Sequence, residues 1–350
     1  MAASRQRLIV LFDGTWNDPV SRTNVYRLAG SIADYDGDIP QRFFYSPGVG
    51  TGKFGRFIGG ATGHGLSPIM YQGYDWLARR YRDGDEIYVF GFSRGAYTAR
   101  SLVGLMRKCG LPLINTLQLQ AAAEKLYRDT DVHPDDSTCV RFRDAFGPAP
   151  PVHFLGVWDT VGALGIPGTM LTEKAGGHYA WHDTELSKIV ARAYHAMALD
   201  EHRAAYDIAL WTSPDGQKKP ENLEVEQRWF IGAHANVGGG YDDCRLSDLA
   251  LLWMQQKAQA AGLVLKPVVP AGKAHLQHPS PSYEEFFFGT YKWYRDFRTH
   301  GDGRFYRRFS AASQGDPAVG ITVDPSVWLR WSDVADYRPP TLLNAGLALP

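Results

Sequence analysis

A serine flanked by glycines, Gly91-Phe92-Ser93-Arg94-Gly95, follows the apolar run Ile87-Tyr88-Val89-Phe90 and leads into Ala96-Tyr97-Thr98-Ala99-Arg100-Ser101-Leu102-Val103. A strand that enters a sharp turn and leaves as a helix, with apolar positions at Ala96, Ala99, Val103 and Met106, is the setting in which G-x-S-x-G forms a nucleophile elbow. The glycines are needed because side chains in so tight a turn would collide with neighbouring backbone. Such a turn holds a hydroxyl clear of the sheet, above the free N–H groups of a helix N-terminus. The chemistry this serves is covalent acyl transfer.

A serine nucleophile requires a base, and the base requires an orienting acid. On α/β-hydrolase sheets the chain order is Ser, then Asp or Glu, then His, each at the C-terminal end of a strand. Asp159 closes the apolar run before it, in Val157-Trp158-Asp159-Thr160-Val161-Gly162, and His234 is expected to end a later strand, in Ile231-Gly232-Ala233-His234-Ala235-Asn236-Val237-Gly238-Gly239-Gly240-Tyr241. His64, His195 and His202 compete for the base. A strand end before a glycine run favours His234. The oxyanion hole is expected to combine the backbone N–H of Arg94 with one from Gly14 or Thr15 after the first strand. For Asp13 a plain turn role carries at least as much weight as a catalytic one.

Two other motifs fail on inspection. Gly48-Val49-Gly50-Thr51-Gly52-Lys53-Phe54 has Phe54 where a phosphate-binding loop needs Ser or Thr, and Pro47 where it needs its first glycine. Phe12-Asp13-Gly14-Thr15 is similar to the Asp-x-Asp-Gly-Thr signature of haloacid-dehalogenase-type phosphotransferases, but Leu11 stands at the nucleophile position. Neither a nucleotide nor a phosphoenzyme is indicated.

The elements that must position these residues alternate. Strands are expected at Arg7–Phe12, Arg42–Tyr45, Ile87–Phe90, Val152–Trp158 and Glu226–Ala233. Helices are expected from Ser67-Pro68 to Gly84, at 96–106, in two pieces within 116–147 around a polar Asp129–Ser137 connection, at Ile189–Ala198, and from a Ser247 cap to Ala261, stopped by Gly262. The alternation predicts an α/β fold with a mostly parallel central sheet and helices on both faces. Residues 1–262 read as a catalytic core, and 263–350, rich in proline and aromatics, as a C-terminal extension or cap packed on it. Within that extension the stretch 283–297, with Phe286-Phe287-Phe288 and Trp293, is expected to be buried packing, with an acyl pocket or membrane contact as alternatives.

Composition narrows the classes. The 350 residues carry 37 Lys+Arg against 37 Asp+Glu, so no global basic field exists to hold nucleic acid. Three cysteines are too few and too scattered for a disulfide framework or a zinc site. No apolar stretch is long enough to span a bilayer. The start Met-Ala-Ala-Ser-Arg-Gln-Arg runs straight into an apparent strand, so no signal peptide is expected, and a cytoplasmic place of synthesis follows. No cofactor or metal is called for by acyl transfer of this kind.

Four strings together resemble the DUF2235 family, the catalytic-domain family of Tle1-type type VI secretion lipase effectors. They are Phe12-Asp13-Gly14-Thr15-Trp16-Asn17, Gly91-Phe92-Ser93-Arg94-Gly95-Ala96-Tyr97-Thr98-Ala99-Arg100, the Val157–Gly162 segment and the His234–Tyr241 segment. The similarity spans roughly 6–262 and extends to the glycine-rich 48–65 stretch and to Ala196–Arg203. It implies an α/β-hydrolase fold, a Ser93–Asp159–His234 triad and hydrolysis of carboxylic esters in phospholipids. It also implies peripheral membrane contact, and a secretion or immunity partner reached by signal-independent export. Two departures stand out. Asn236 replaces the usual Asp, and only the short tail after the core remains for a membrane-engaging module. An esterase or acyltransferase on a soluble substrate, or a non-catalytic binding protein, are the alternatives.

Overall fold

Alternate residues of Arg7–Phe12 supply two different cores, because successive side chains of a strand point to opposite faces. This strand, β1, lies inside the sheet of the computed structural model, which describes residues 5–14, 22–48, 68–114, 116–162, 184–285, 289–299, 301–311 and 315–349. After β1 come α1 (Asn24–Ala29), β2 (Tyr35–Asp36), β3 (Ile39–Ser46), α2 (Pro68–Ala78), β4 (Glu86–Phe92), α3 (Arg94–Cys109), α4 (Leu117–Arg128), α5 (Ser137–Phe146) and β5 (Val152–Trp158). The chain continues with β6 (Val190–Ala198), β7 (Glu224–Phe230), α6 (His234–Gly238), α7 (Arg245–Ala260), α8 (Ser282–Glu285), α9 (Thr290–Thr299), β8 (Ile321–Val323), α10 (Pro325–Asp333) and α11 (Pro340–Asn344).

The sheet order is β2-β3-β1-β4-β5-β6-β7-β8. Every pairing is parallel except β2 with β3. On one face Leu8, Val10, Phe12 and Val89 pack with Met70, Tyr74 and Leu77 of α2 and Leu102 and Met106 of α3. On the other, Ile9, Leu11, Tyr88 and Phe90 pack with Val25 and Leu28 of α1 and Leu251 and Met254 of α7. Each such side chain contributes about 1.5–3 kcal/mol of burial, and this double coverage explains why β1 and β4 read as unbroken apolar runs. The fold is the expected mostly parallel α/β sheet with helices on both faces.

Three expectations require correction. Ile189–Ala198 is not a helix: residues 190–198 form β6, with Val157 of β5 opposite His195 and His195 opposite Gln227 of β7. Its alanines favour a helix locally, but a site buried on both faces between two strands overrides that preference. The cap of α7 is also displaced, since Cys244 occupies the N-cap and the Ser247 hydroxyl, inside the first turn, donates to the Cys244 carbonyl at 3.0 Å. Finally, β7 ends at Phe230, because Gly232 at φ +106° turns the chain, and His234 opens α6 rather than ending a strand. The stop of α7 is as expected, with Gly262 at φ +102° just beyond it.

Beyond α7 the chain returns to the sheet. β8 pairs with β7 through Gln227 opposite Ile321, and Val327 and Trp331 of α10 pack with Trp229 and Leu246.

Candidate active site

The connection from β1 runs to one side of the sheet and that from β4 to the other, so a crevice opens beyond their C-terminal ends. Ser93 lies there, between β4 and α3, at φ 59° and ψ −122°. A side chain is strained at such angles. The Ser93 N–H donates to the Trp158 carbonyl at 3.0 Å, tying the turn to the end of β5. A Cβ on Gly91 would lie 2.4 Å from the Gly95 carbonyl oxygen, and one on Gly95 2.2 Å from that of Phe12. The two glycines of the motif are therefore forced by backbone contact, the second by the end of β1.

His234 reaches across this turn. Its Nε2 lies 2.8 Å from Ser93 Oγ and its Nδ1 2.6 Å from Asp159 Oδ2. The ring packs between Phe92, 4.7 Å away, and Tyr206, 5.0 Å away and edge-on. Phe92 in turn presses against Gly238, where a Cβ would lie 1.9 Å from the ring. The His234 N–H donates to Glu201 Oε2 at 3.2 Å, and Glu201 is held by Arg203 through Nε at 2.8 Å and Nη2 at 2.6 Å. Burial lowers the affinity of His234 for a proton, and the Asp159 hydrogen bond and charge offset this only in part. The resting imidazole is thus favoured as neutral, with Nδ1–H toward Asp159 and a lone pair on Nε2 toward the hydroxyl. That is the protonation state a general base requires.

Asp159 is fully buried, also at positive φ (38°). Its Oδ1 accepts from the Ala198 N–H at 2.8 Å and from Arg307 Nη1 at 2.7 Å; Oδ2 accepts from His234 and from Arg307 Nη2 at 3.0 Å. Burial alone would raise its pKa, but the Arg307 charge and the hydrogen bonds from His234 and Arg307 outweigh it and hold the carboxyl below its ordinary range. Sequence reasoning missed Arg307, since nothing local marks a guanidinium 148 residues from its partner. Glu201 and Arg203 lie within the Ala196–Arg203 string, but no motif rule assigns them a role.

The competing histidines lie elsewhere or are committed. His195 is fully buried, takes the Thr160 N–H on Nε2 at 3.0 Å and faces Gln227 Oε1 with Nδ1 at 3.2 Å. Burial pushes its pKa down to about 3, so it is a neutral internal strut. His202 Nδ1 faces the Phe305 carbonyl at 3.3 Å. His64 and Thr15 lie outside the described residues.

Asp13 accepts from Thr23 Oγ1 at 2.6 Å, Tyr45 OH at 2.8 Å and the Gly14 N–H at 2.7 Å. It knits the β1 loop against β3 and α1. The Gly14 N–H, one of the expected oxyanion donors, thus already has an acceptor. Arg94 begins α3, where helix geometry supplies no acceptor for its N–H; burial lowers its guanidinium pKa to about 10. Asn236 is buried, and its Oδ1 accepts the N–H groups of Ala233 at 3.1 Å and Ser280 at 3.0 Å. Of the aromatic stretch, Tyr283 is buried as expected, but Trp293 and Phe297 are 72% and 67% exposed and stack on each other, contrary to buried packing. Phe286, Phe287 and Phe288 lie outside the described residues. Among the described residues no helix is long and apolar enough to cross a membrane.

The uncharacterized protein YEL023C of Saccharomyces cerevisiae is 26% identical over 237 residues, 60% of this chain and 33% of that protein; the match thus spans a third of the relative's length. Among solved structures, an uncharacterized protein from Pseudomonas aeruginosa has 18% identity over 83% of this chain and 51% of that one, with a TM-score of 0.45. The Tle1 effector solved bound to the VgrG spike from the Type 6 secretion system has 15% identity over 87% of this chain and 81% of that one, with a TM-score of 0.45. The family model for the catalytic domain of Tle1-like phospholipase effectors of type VI secretion matches residues 6–257. With most of its length inside that match, the chain belongs to the Tle1-like phospholipase effector catalytic-domain family.

Proposed function

We propose that the protein is a serine ester hydrolase that cleaves carboxylic esters of phospholipids through an acyl-enzyme. The observation that carries this reading is the continuous chain Ser93 Oγ–His234–Asp159, with contacts of 2.8 and 2.6 Å, at the mouth of the sheet. Ser93 attacks the acyl carbonyl as His234 Nε2 takes its proton. Asp159 fixes the tautomer and stabilises the imidazolium. The Arg94 N–H stabilises the tetrahedral oxyanion, and since the Gly14 N–H is held by Asp13, Thr15 is the proposed second donor. His234 then protonates the leaving alcohol, and water, activated by the same imidazole, releases the acid.

Family membership supports a lipid substrate. A peripheral contact with an anionic phospholipid surface is supported by α9, where Trp293 and Phe297 share one face and stand exposed, on a helix that carries Lys292, Arg295 and Arg298 against the single acid Asp296, which pairs with Lys292. Delivery by a type VI apparatus, with a secretion partner and an immunity partner, is the corresponding proposal for its biology.

The test compares wild type with Ser93→Ala for fatty-acid release from phospholipid vesicles and for cleavage of a short soluble ester. Release from vesicles by wild type, lost by several orders of magnitude in the variant, is the expected result. Near-wild-type turnover in Ser93→Ala would overturn the nucleophile. Cleavage of the soluble ester alone would keep the nucleophile and remove the lipid.

A further inference from the structure

Arg307 lies outside the stretch matched by the family model, 6–257, in the segment between α9 and β8. Its guanidinium is nevertheless completely enclosed and pairs with both oxygens of Asp159, the most deeply placed group of the proposed triad. The same guanidinium donates to the carbonyls of Ala198, at 2.8 Å, and Tyr206. It therefore joins the end of β6 to the turn whose tyrosine ring packs on His234.

Resting on the triad reading above, we propose that Arg307 is a positioning residue that sets both the aim of Asp159 and the basicity of His234. A carboxylate with no exposure would take up a proton unless a charge compensates it. The bidentate pair does this and fixes the carboxylate plane, leaving one lone pair of Oδ2 for Nδ1–H. Sharing also has an electronic consequence. Without the guanidinium the Asp159–His234 pair would bind a proton at higher pH, whichever of the two carries it; beside Arg307 the pair stays in its active form, with His234 able to act as base, to lower pH. The active site is then incomplete without the C-terminal segment.

Among the described residues, the charged and titratable groups around His234 are few. Asp159 comes from the end of β5, Ser93 from the elbow, and Glu201, Arg203 and Tyr206 from the turn after β6, with Arg307 behind Asp159. Substituting Arg307 removes the last of these charges together with the hydrogen bonds it gives to Asp159 and to the Tyr206 carbonyl.

The test is the pH dependence of kcat/KM for a soluble ester in Arg307→Gln and Arg307→Lys. In Arg307→Gln the acid limb is expected to move up by about one pH unit or more, the size of effect a close charge has on a buried group, with kcat falling at least about tenfold. Arg307→Lys keeps the charge but not the fork, so its limb stays near wild type while kcat falls. A merely structural role predicts unmoved limbs in both variants. If Arg307→Gln does not fold, the test passes to Asp159→Asn with and without Arg307→Gln, where both buried charges are gone. Action through Asp159 predicts that the double variant is no slower than Asp159→Asn alone, and a multiplied loss overturns the proposal. Ser93→Ala is measured alongside. If it is inactive while Arg307→Gln keeps the wild-type profile, this inference fails and the triad stands; if it is active, the triad itself fails.

Discussion

Replacing Ser93 by glycine and by alanine separates the cost of the elbow's backbone from the value of its hydroxyl. Both changes remove the 2.8 Å contact with His234, but only glycine removes the Cβ that is strained at φ 59°, ψ −122°. A residue held in so sparsely populated a region costs about 1–3 kcal/mol. Glycine gives back roughly 0.4–1 kcal/mol of this through its greater freedom in the unfolded chain. The balance predicts Ser93→Gly more stable than Ser93→Ala by about 1 kcal/mol, a difference of about 2 °C or less in Tm for a chain of this size. Urea unfolding and calorimetry on the two variants at neutral pH measure it, with both variants inactive toward esters. Equal stability, or a less stable glycine variant, would refute the argument.

His195 supplies a prediction about acid. Its folded pKa of about 3 lies below the unfolded value of about 6.5, so the fold binds the neutral form. The stability this represents is complete above pH 6.5 and declines as pH falls, by about 1.4 kcal/mol per unit, or about 2 kcal/mol by pH 5. His195→Asn should show a shallower loss of unfolding free energy between pH 7.5 and pH 5 in urea titrations, and an unchanged slope would reject the assignment. At α9, the paired change Trp293→Ala with Phe297→Ala should reduce binding and turnover on anionic phospholipid vesicles by at least about tenfold, given about 1.5–3 kcal/mol for each buried aromatic. Hydrolysis of a soluble ester should stay at the wild-type rate; equal loss on both substrates would remove α9 from the membrane contact.

The sequence made the elbow legible because its constraints are local. Gly91 and Gly95 are forced by atoms of the turn and of the adjacent strand end, and an apolar run before them and a helical period after them complete the pattern. Asp159 and His234 were legible only as a chain order; parallel strands bring their C-terminal ends to one edge of the sheet, and there the two side chains meet Ser93. β6 was not legible. Val190-Ala191-Arg192-Ala193-Tyr194-His195-Ala196-Met197-Ala198 has the composition of a helix, and only its place between β5 and β7 makes it a strand. The exposure of Trp293 and Phe297 was hidden for a related reason, since an aromatic residue does not reveal whether anything packs over it. Arg307 was the hardest case: its role depends on a buried partner 148 residues away, and no spacing rule reaches that far.

Asn236, where Asp is usual in the family it resembles, makes physical sense once the charges are paired. Its Oδ1 takes two backbone N–H groups, which a carboxylate could also accept, and its Nδ2 faces Ser280 Oγ at 3.4 Å, where a carboxylate could only accept from the hydroxyl. What the amide avoids is another buried negative charge two residues from His234. The charges already there cancel, Asp159 against Arg307 and Glu201 against Arg203, while His234 rests neutral. In the proposed reaction this balance is disturbed only when a proton leaves Ser93, which creates an imidazolium and an oxyanion together. A carboxylate at 236 would favour the first of these charges before the second had formed, raising the basicity of His234 and leaving more of it protonated at rest. In this reading Asn236 and Arg307 act in the same direction on the imidazole. One withholds a negative charge and the other neutralises one, and both keep His234 free to accept the serine proton.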